Sequence, residues 1–150
     1  ISYMYRVNER SHTIEIWNSP TVRMAPCVAS SGHAPAEDLT RFYAMIAKGG
    51  VADSGKRLLK QDTVDLMIKE QLVEKTGKPS NYGLGFFICY DKEDPTKDFT
   101  FGHGGSSSSF GRHAPELDLS VGFITNGHQN PKIQDKRMKD IWSACKALVG

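Results

Sequence analysis

The stretch from Phe99 to Asn126 constrains this chain more than any other. It runs Phe-Thr-Phe-Gly-His-Gly-Gly from Phe99 to Gly105, passes through four serines, Ser106 to Ser109, and closes on Phe110-Gly111. Ala114-Pro115-Glu116 then leads into an alternation of Leu117, Leu119, Val121 and Phe123 that ends at Thr125-Asn126. Alternation with period two marks a half-buried strand. Glycine inside a strand gives up side-chain packing and costs backbone entropy. Glycines beside His103 therefore imply that something must approach that backbone closely.

The flanking sequence supplies the rest of a sheet. Strands are expected at about 98–104, 106–113 and 117–125, and short turns between adjacent strands mean an antiparallel meander. Tyr82 to Tyr90 reads as a preceding strand, apolar on both faces and so covered on both. Upstream, Pro35 followed by Glu37 and Asp38 opens a helix. Leu39, Phe42, Tyr43 and Ile46 fall on one stripe of it, and Gly49-Gly50 stops it. A second helix is expected from Gln61, with Val64, Met67 and Ile68 inward and Leu72 as a candidate continuation. A third, from about Pro131 to Leu148, carries Ile133, Met138, Ile141, Trp142, Cys145 and Leu148 on its apolar stripe. Residues 2–17 read as a short hairpin or extended excursion, Pro20 and Pro26 flank an irregular stretch, and Val73 to Asn81 is a polar loop. Helices segregated from adjacent strands give an α+β fold: an antiparallel sheet flanked by helices, in a single domain over 1–150, with the last helix on one sheet face.

Composition narrows the function classes. The hydrophobic share of 39% and charged share of 24% are those of an ordinary globular chain, and no apolar run reaches the roughly 18 residues of a membrane helix. The start, Ile1-Ser-Tyr-Met-Tyr, has neither a basic nor an apolar segment of a signal peptide. It also lacks an initiator Met, which suggests a longer parent or a trimmed chain. A net charge of +2 is too small and too mixed with acids for nucleic acid. Cys27, Cys89 and Cys145 are far apart and odd in number. Buried free thiols are the default reading, and neither a metal site nor a disulfide framework is expected. His33, His113 and His128 read as surface or turn residues, and Trp17 and Trp142 as core or subunit-contact residues. Nothing calls for a cofactor.

Four segments, in order, resemble the C-terminal part of a serine β-lactamase-like protein, the group of penicillin-binding proteins, class C β-lactamases and family VIII carboxylesterases. They are Ala36-Glu-Asp-Leu-Thr-Arg-Phe42 with Gly49-Gly50; Leu58-Leu-Lys-Gln-Asp-Thr-Val64 through Met67; Tyr82-Gly-Leu-Gly-Phe86; and Phe101-Gly-His-Gly-Gly105 with Pro115-Glu116 and a strand ending Thr125-Asn126. The resemblance runs from about residue 29 to 148. It implies a five-stranded antiparallel sheet with helices on both sides, of which this chain is expected to lack the N-terminal strands and the nucleophile helix.

The resemblance also implies acyl-serine chemistry shared among three boxes. A serine hydroxyl needs a base before it attacks, and the acyl oxyanion needs preorganised N–H donors. This chain matches the third box. His103 takes the cationic position, Gly104 and Gly105 follow as substrate-binding backbone with Ser107 beyond, and the backbone N–H of Ser106 stands where the oxyanion donor belongs. Histidine in place of lysine offers a hydrogen bond rather than a fixed charge at neutral pH, which leans toward an ester or amide rather than a β-lactam. Lys75-Thr76-Gly77 spells the third box in a polar loop, where no site wall forms. Ser143-Ala-Cys-Lys146 spells the first box, but in the final helix, and a weaker option gives catalysis to Ser143 and Lys146. No Tyr-x-Asn occurs. The chain is therefore expected to be one segment of a serine hydrolase, inactive alone, whose parent takes a small ester, amide or β-lactam. The alternative is a non-catalytic pseudoenzyme or assembly module, pairing with an N-terminal half or with itself through an open strand edge at 119–125. Family members are often in the bacterial envelope, whereas the cysteine count leans to the cytoplasm.

Overall fold

A computed structural model of the chain describes residues 19–25, 32–73, 76–90, 98–105, 108–125 and 130–149. The chain divides into two compact units, 1–34 and 35–150. The expected excursion over 2–17, and with it Trp17, lies outside the described residues.

In the first unit the stretch expected to be irregular contains one helical segment, α1 (Pro20–Met24). Ser19 caps it by accepting from the Val22 N–H at 3.4 Å. A serine followed by proline is a helix-start signal by itself, because the cap satisfies a free N–H and proline is preset for the first turn.

The second unit opens with α2 (Ala36–Ala47). Gly49 (φ 63°) and Gly50 (φ 87°) end it in the left-handed region, and the Gly50 N–H returns to the Met45 carbonyl at 2.9 Å, a glycine stop. Tyr43 (4% exposed) and Ile46 (1%) form the expected buried stripe with Leu39 packed beside them. Phe42 sits at the margin and stays exposed. The next helix, α3 (Gln61–Ile68), buries Val64. It ends before Leu72, which is 66% exposed and bridges to Pro79 in a narrow loop turned at Gly77. Leu72 is therefore not part of the inner face.

Only the end of the Tyr82–Tyr90 run is a strand, β1 (Phe87–Cys89). Its first half is a tight reversal: Tyr82 bridges to Phe87, the Gly83 N–H donates to the Phe86 carbonyl at 2.9 Å, and Gly85 has φ 88°. A β-carbon on Gly83 would lie 2.1 Å from the Met67 carbonyl oxygen, so the loop presses on the end of α3. Apolar residues on both sides of a continuous strand were expected; the turn chemistry of Gly-Leu-Gly overrides that pattern.

The other strands are β2 (Thr100–Gly104), β3 (Phe110–Ala114) and β4 (Leu119–Phe123). The sheet order is β1-β2-β3-β4, antiparallel throughout, as the short turns predict. A 3₁₀ turn, Pro115–Leu117, joins β3 to β4 with Asp118 left-handed. The last helix, α4 (Pro131–Ala147), is capped by Asn130, whose side-chain oxygen accepts from the Lys132 N–H at 3.0 Å.

Helices cover both faces. On one, Tyr43, Ile46, Val64, Phe86, Ile88 and Phe101 form a core beneath α2 and α3. On the other, Trp142 of α4 packs with Phe110, Ala114 and Val121, with Met138, Ile141 and Cys145 around them. The ends of the expected α4 stripe do not join this core: Ile133 and Leu148 are exposed. No helix among the described residues is long and apolar enough to cross a membrane.

Candidate active site

The register of the sheet isolates the histidine. Phe87 of β1 pairs with Gly102. His103 and Gly104 continue past that pair while still facing Gly111 and Phe110 of β3. β2 thus overhangs the start of β1, and among the described residues His103, Gly104 and Gly105 form its free end on that side. His103 is exposed, its ring centred 4.7 Å from that of Phe87. A groove of about 480 Å³ runs beside it, lined by Phe87, His103, Gly104 and Gly105 from the sheet and by Met138 and Ser143 from α4.

The hairpin after this wall is drawn tight. The Gly105 N–H donates to the Ser109 carbonyl at 2.7 Å, and the Ser108 N–H to the Gly105 carbonyl at 3.2 Å. Ser108 takes a left-handed φ of 71° and is fully buried, its hydroxyl without a partner among the described residues. Ser109 Oγ accepts from the Thr125 N–H at 3.1 Å and so ties the hairpin to the end of β4. Ser106 and Ser107, the expected oxyanion donor and its neighbour, lie outside the described residues.

Three glycines set the geometry behind the wall. A β-carbon on Gly102 would stand 2.3 Å from the Gly111 carbonyl oxygen, and one on Gly111 would stand 2.0 Å from Tyr43 Cε2. One on Gly122 would stand 2.6 Å from the Ala36 carbonyl oxygen. These glycines let strands and helix α2 approach closely. Gly104 and Gly105 are less confined: an added carbon meets Met138 Sδ at 3.2 Å and the Ser109 carbonyl oxygen at 3.6 Å. Burial pushes the Tyr43 phenol up to about 12, while the backbone N–H of His103 and the charge of Arg112 pull it back. Tyr43 therefore stands as a neutral hydroxyl behind the His103 backbone. Sequence reasoning placed Tyr43 on an inward helix stripe but did not connect it to His103.

Several other expectations are corrected. His113 is not a surface residue: it is 3% exposed, with Nδ1 2.8 Å from Ser120 Oγ and its ring 5.3 Å from that of Phe101. Helices cover both faces of β3, so four of its five residues are buried. His33 is exposed, as expected, and His128 lies outside the described residues. Cys89 is exposed and Cys145 half-buried, both free, so Cys89 is not the buried thiol expected; Cys27 lies outside the described residues. Trp142 is core. Thr76 and Gly77 sit in the narrow loop, and Lys75 lies outside the described residues. Ser143 is exposed on the His103 groove, whereas Lys146 lies 3.8 Å from Asp98 and lines a neighbouring groove. Successive turns of α4 thus separate the two halves of the Ser-x-x-Lys spelling. Among the described residues no group of histidine, cysteine and carboxylate side chains gathers to hold a metal.

Comparison with curated proteins gives no match. The beta-lactamase family model matches residues 5–146. That span takes in α1, α2 and α3, the whole meander and nearly all of α4, with the glycine-flanked histidine on the end of its second strand, and the chain belongs to the beta-lactamase family.

Proposed function

We propose that this chain supplies one wall of an acyl-serine hydrolase site, with the nucleophile carried by other residues of a longer parent. Membership of the family relates the chain to the serine hydrolases. The overhang of His103, Gly104 and Gly105 beyond β1 carries the rest of the reading. A strand end without a neighbour can receive an extended acyl group by backbone hydrogen bonds. His103 stands beside it as a hydrogen-bonding group for the substrate, and Ser106 gives its backbone N–H to the oxyanion that forms when a serine oxygen adds to the carbonyl. Losing one such donor typically costs about 100- to 1000-fold in rate. The substrate is a small ester or amide in preference to a β-lactam, because histidine does not guarantee the fixed charge that a β-lactam carboxylate would meet. Alone the chain is inactive, since Ser143 and Lys146 are directed to different grooves.

Two measurements test this. The 150-residue chain should not turn over p-nitrophenyl acetate or nitrocefin; turnover that disappears in His103→Ala would overturn the claim of inactivity. In the longer parent, a fluorophosphonate should label a serine outside these residues, and His103→Ala should lower ester turnover without abolishing the labelling. Unchanged turnover in His103→Ala would remove His103 from the site.

A second reading is an assembly module. Among the described residues β4 pairs with β3 alone, and a strand with one unpaired side is a template for another chain. A stable monomer in size-exclusion chromatography would count against it.

A further inference from the structure

Three rings stand in a row at the edge of the sheet, apart from the buried aromatic core of Tyr43, Phe86 and Phe101. The Tyr82 and Phe87 rings are centred 4.3 Å apart, and those of Phe87 and His103 4.7 Å apart. They come from three neighbouring segments: Tyr82 bridges to Phe87, and Phe87 pairs with Gly102, next to His103. Tyr82 and His103 therefore flank Phe87 from opposite sides. The backbone under the row is pinned. The Tyr82 carbonyl accepts from the Gln71 N–H at 2.7 Å, and the Asn81 carbonyl from the Ile88 N–H at 2.9 Å. Phe87 and His103 line the groove of about 480 Å³ beside α4, together with Phe110, Met138 and Trp142. Met138 reaches over Gly104, where an added β-carbon would lie 3.2 Å from its sulfur. Of the charged residues in the lining, Asp135 and Lys139 are exposed, and Arg112 lies over the Trp142 ring at 5.2 Å.

We propose that this groove is an aromatic-ring subsite. An uncharged aryl group, carried by a small ester or amide, lies against Phe87 and the Met138 thioether, beside His103. With a ring on either side of it, Phe87 offers the groove its edge, and the positive edge of one ring attracts the negative face of another. A thioether likewise gains more from an aromatic ring than from a saturated one. Pockets for small ligands run upward from about 300 Å³ and combine apolar walls with few polar groups, so the groove suits one ring with a short substituent. Both contacts favour a flat ring over a saturated ring of equal bulk. The subsite rests on the acyl-serine role given to His103 for the molecule that carries the ring, whereas seating the ring needs no nucleophile.

The probe is para-fluoroacetophenone, an aryl ketone that cannot be hydrolysed, and its fluorine resonance is followed as the 150-residue chain is added. Broadening should be saturable. Acetophenone should displace the probe at a concentration about three-fold or more below that needed for cyclohexyl methyl ketone, its saturated counterpart. Phe87→Leu and Met138→Leu keep apolar bulk, and each should raise the dissociation constant of the probe about three-fold or more. Leu84→Ala, exposed on the neighbouring reversal and outside the groove lining, should leave it unchanged. Circular dichroism melts establish that each variant is folded. Should Phe87→Leu unfold, Met138→Leu carries the comparison. No saturable broadening, equal displacement by the two ketones, affinity indifferent to the folded groove variants, or affinity lost in Leu84→Ala each overturns the subsite. His103-dependent ester turnover in the longer parent without ring binding would overturn the subsite alone. Ring binding with no serine labelled in the parent would overturn the acyl-serine reading alone.

Discussion

A β-carbon added to Gly111 would stand 2.0 Å from Cε2 of Tyr43, so helix α2 seats its tyrosine directly on the backbone of β3. The ring has little room to yield. Phe86 and Phe101 flank it at centroid distances of 5.8 and 6.4 Å. Gly111→Ala should therefore destabilise the second unit by roughly 1–3 kcal/mol, the usual cost of overpacking a core. In urea melts, Tyr43→Leu should recover part of that loss. Strictly additive effects of the two changes would show that the ring is not what the new methyl meets.

Glu70 holds two parts of the fold at once. One carboxylate oxygen accepts from the Tyr90 hydroxyl at 2.5 Å and the other from the Asn81 N–H at 2.6 Å, where Asn81 is left-handed. The hydrogen bond to Glu70 is the main reason that the Tyr90 phenol is raised. Glu70→Gln should let Tyr90 ionise at lower pH, seen as a shifted phenolate absorbance. A phenol raised in the folded state adds stability below its ordinary value near 10, and that stability is lost as pH rises through the folded value. The parent chain should thus lose more stability than Glu70→Gln across that alkaline window. Parallel loss in both would contradict the role given to Glu70.

His113 sets an acid limit. Burial lowers its pKa below the ordinary 6.5, with Asp118 opposing weakly. Above 6.5 the ring is neutral in both the folded and the unfolded chain and contributes no pH dependence. As pH falls below it, the unfolded chain takes up a proton that the folded one refuses, so stability drops until the folded value is passed. Melting temperatures measured downward from pH 7 should fall more steeply for the parent chain than for His113→Gln. Equal slopes would show that another group governs the acid limb.

The Ser143-x-x-Lys146 spelling makes a sharp negative case. An ammonium 3.8 Å from Asp98 is not placed as the base of Ser143, which lines the other groove. A fluorophosphonate should leave Ser143 unlabelled in the 150-residue chain, and Asp98→Asn should not change that. Stoichiometric labelling of Ser143 would make this helix the catalytic one.

Much of the fold was legible because its signals are local. Pro35 with Glu37 and Asp38, the Gly49-Gly50 stop, and the alternation from Leu117 to Phe123 each act within a few residues of chain. The misreadings also have local causes. Gly83 and Gly85 turn an apolar run back on itself where continuous hydrophobicity suggested a strand, and the Ser19-Pro20 start was passed over between two prolines. The site was half legible. The glycine-flanked His103 identified the wall, but the steric demands behind it fall on Gly102, Gly111 and Gly122, which no local pattern distinguishes from Gly104.

The sequence alone determined the helices α2, α3 and α4, that the strands after Asp98 form an antiparallel meander, and that His103 sits among glycines. These follow from backbone preferences and short turns, which depend on neighbours in the chain. Only the tertiary structure decided that β2 outruns β1 at His103, that Tyr43 stands behind it, and that Ser143 and Lys146 part company. Those relations depend on strand register and on how closely a helix can approach a sheet. Both are settled by packing between residues far apart in sequence, such as Tyr43 against Gly111, and not by the order of residues along either element.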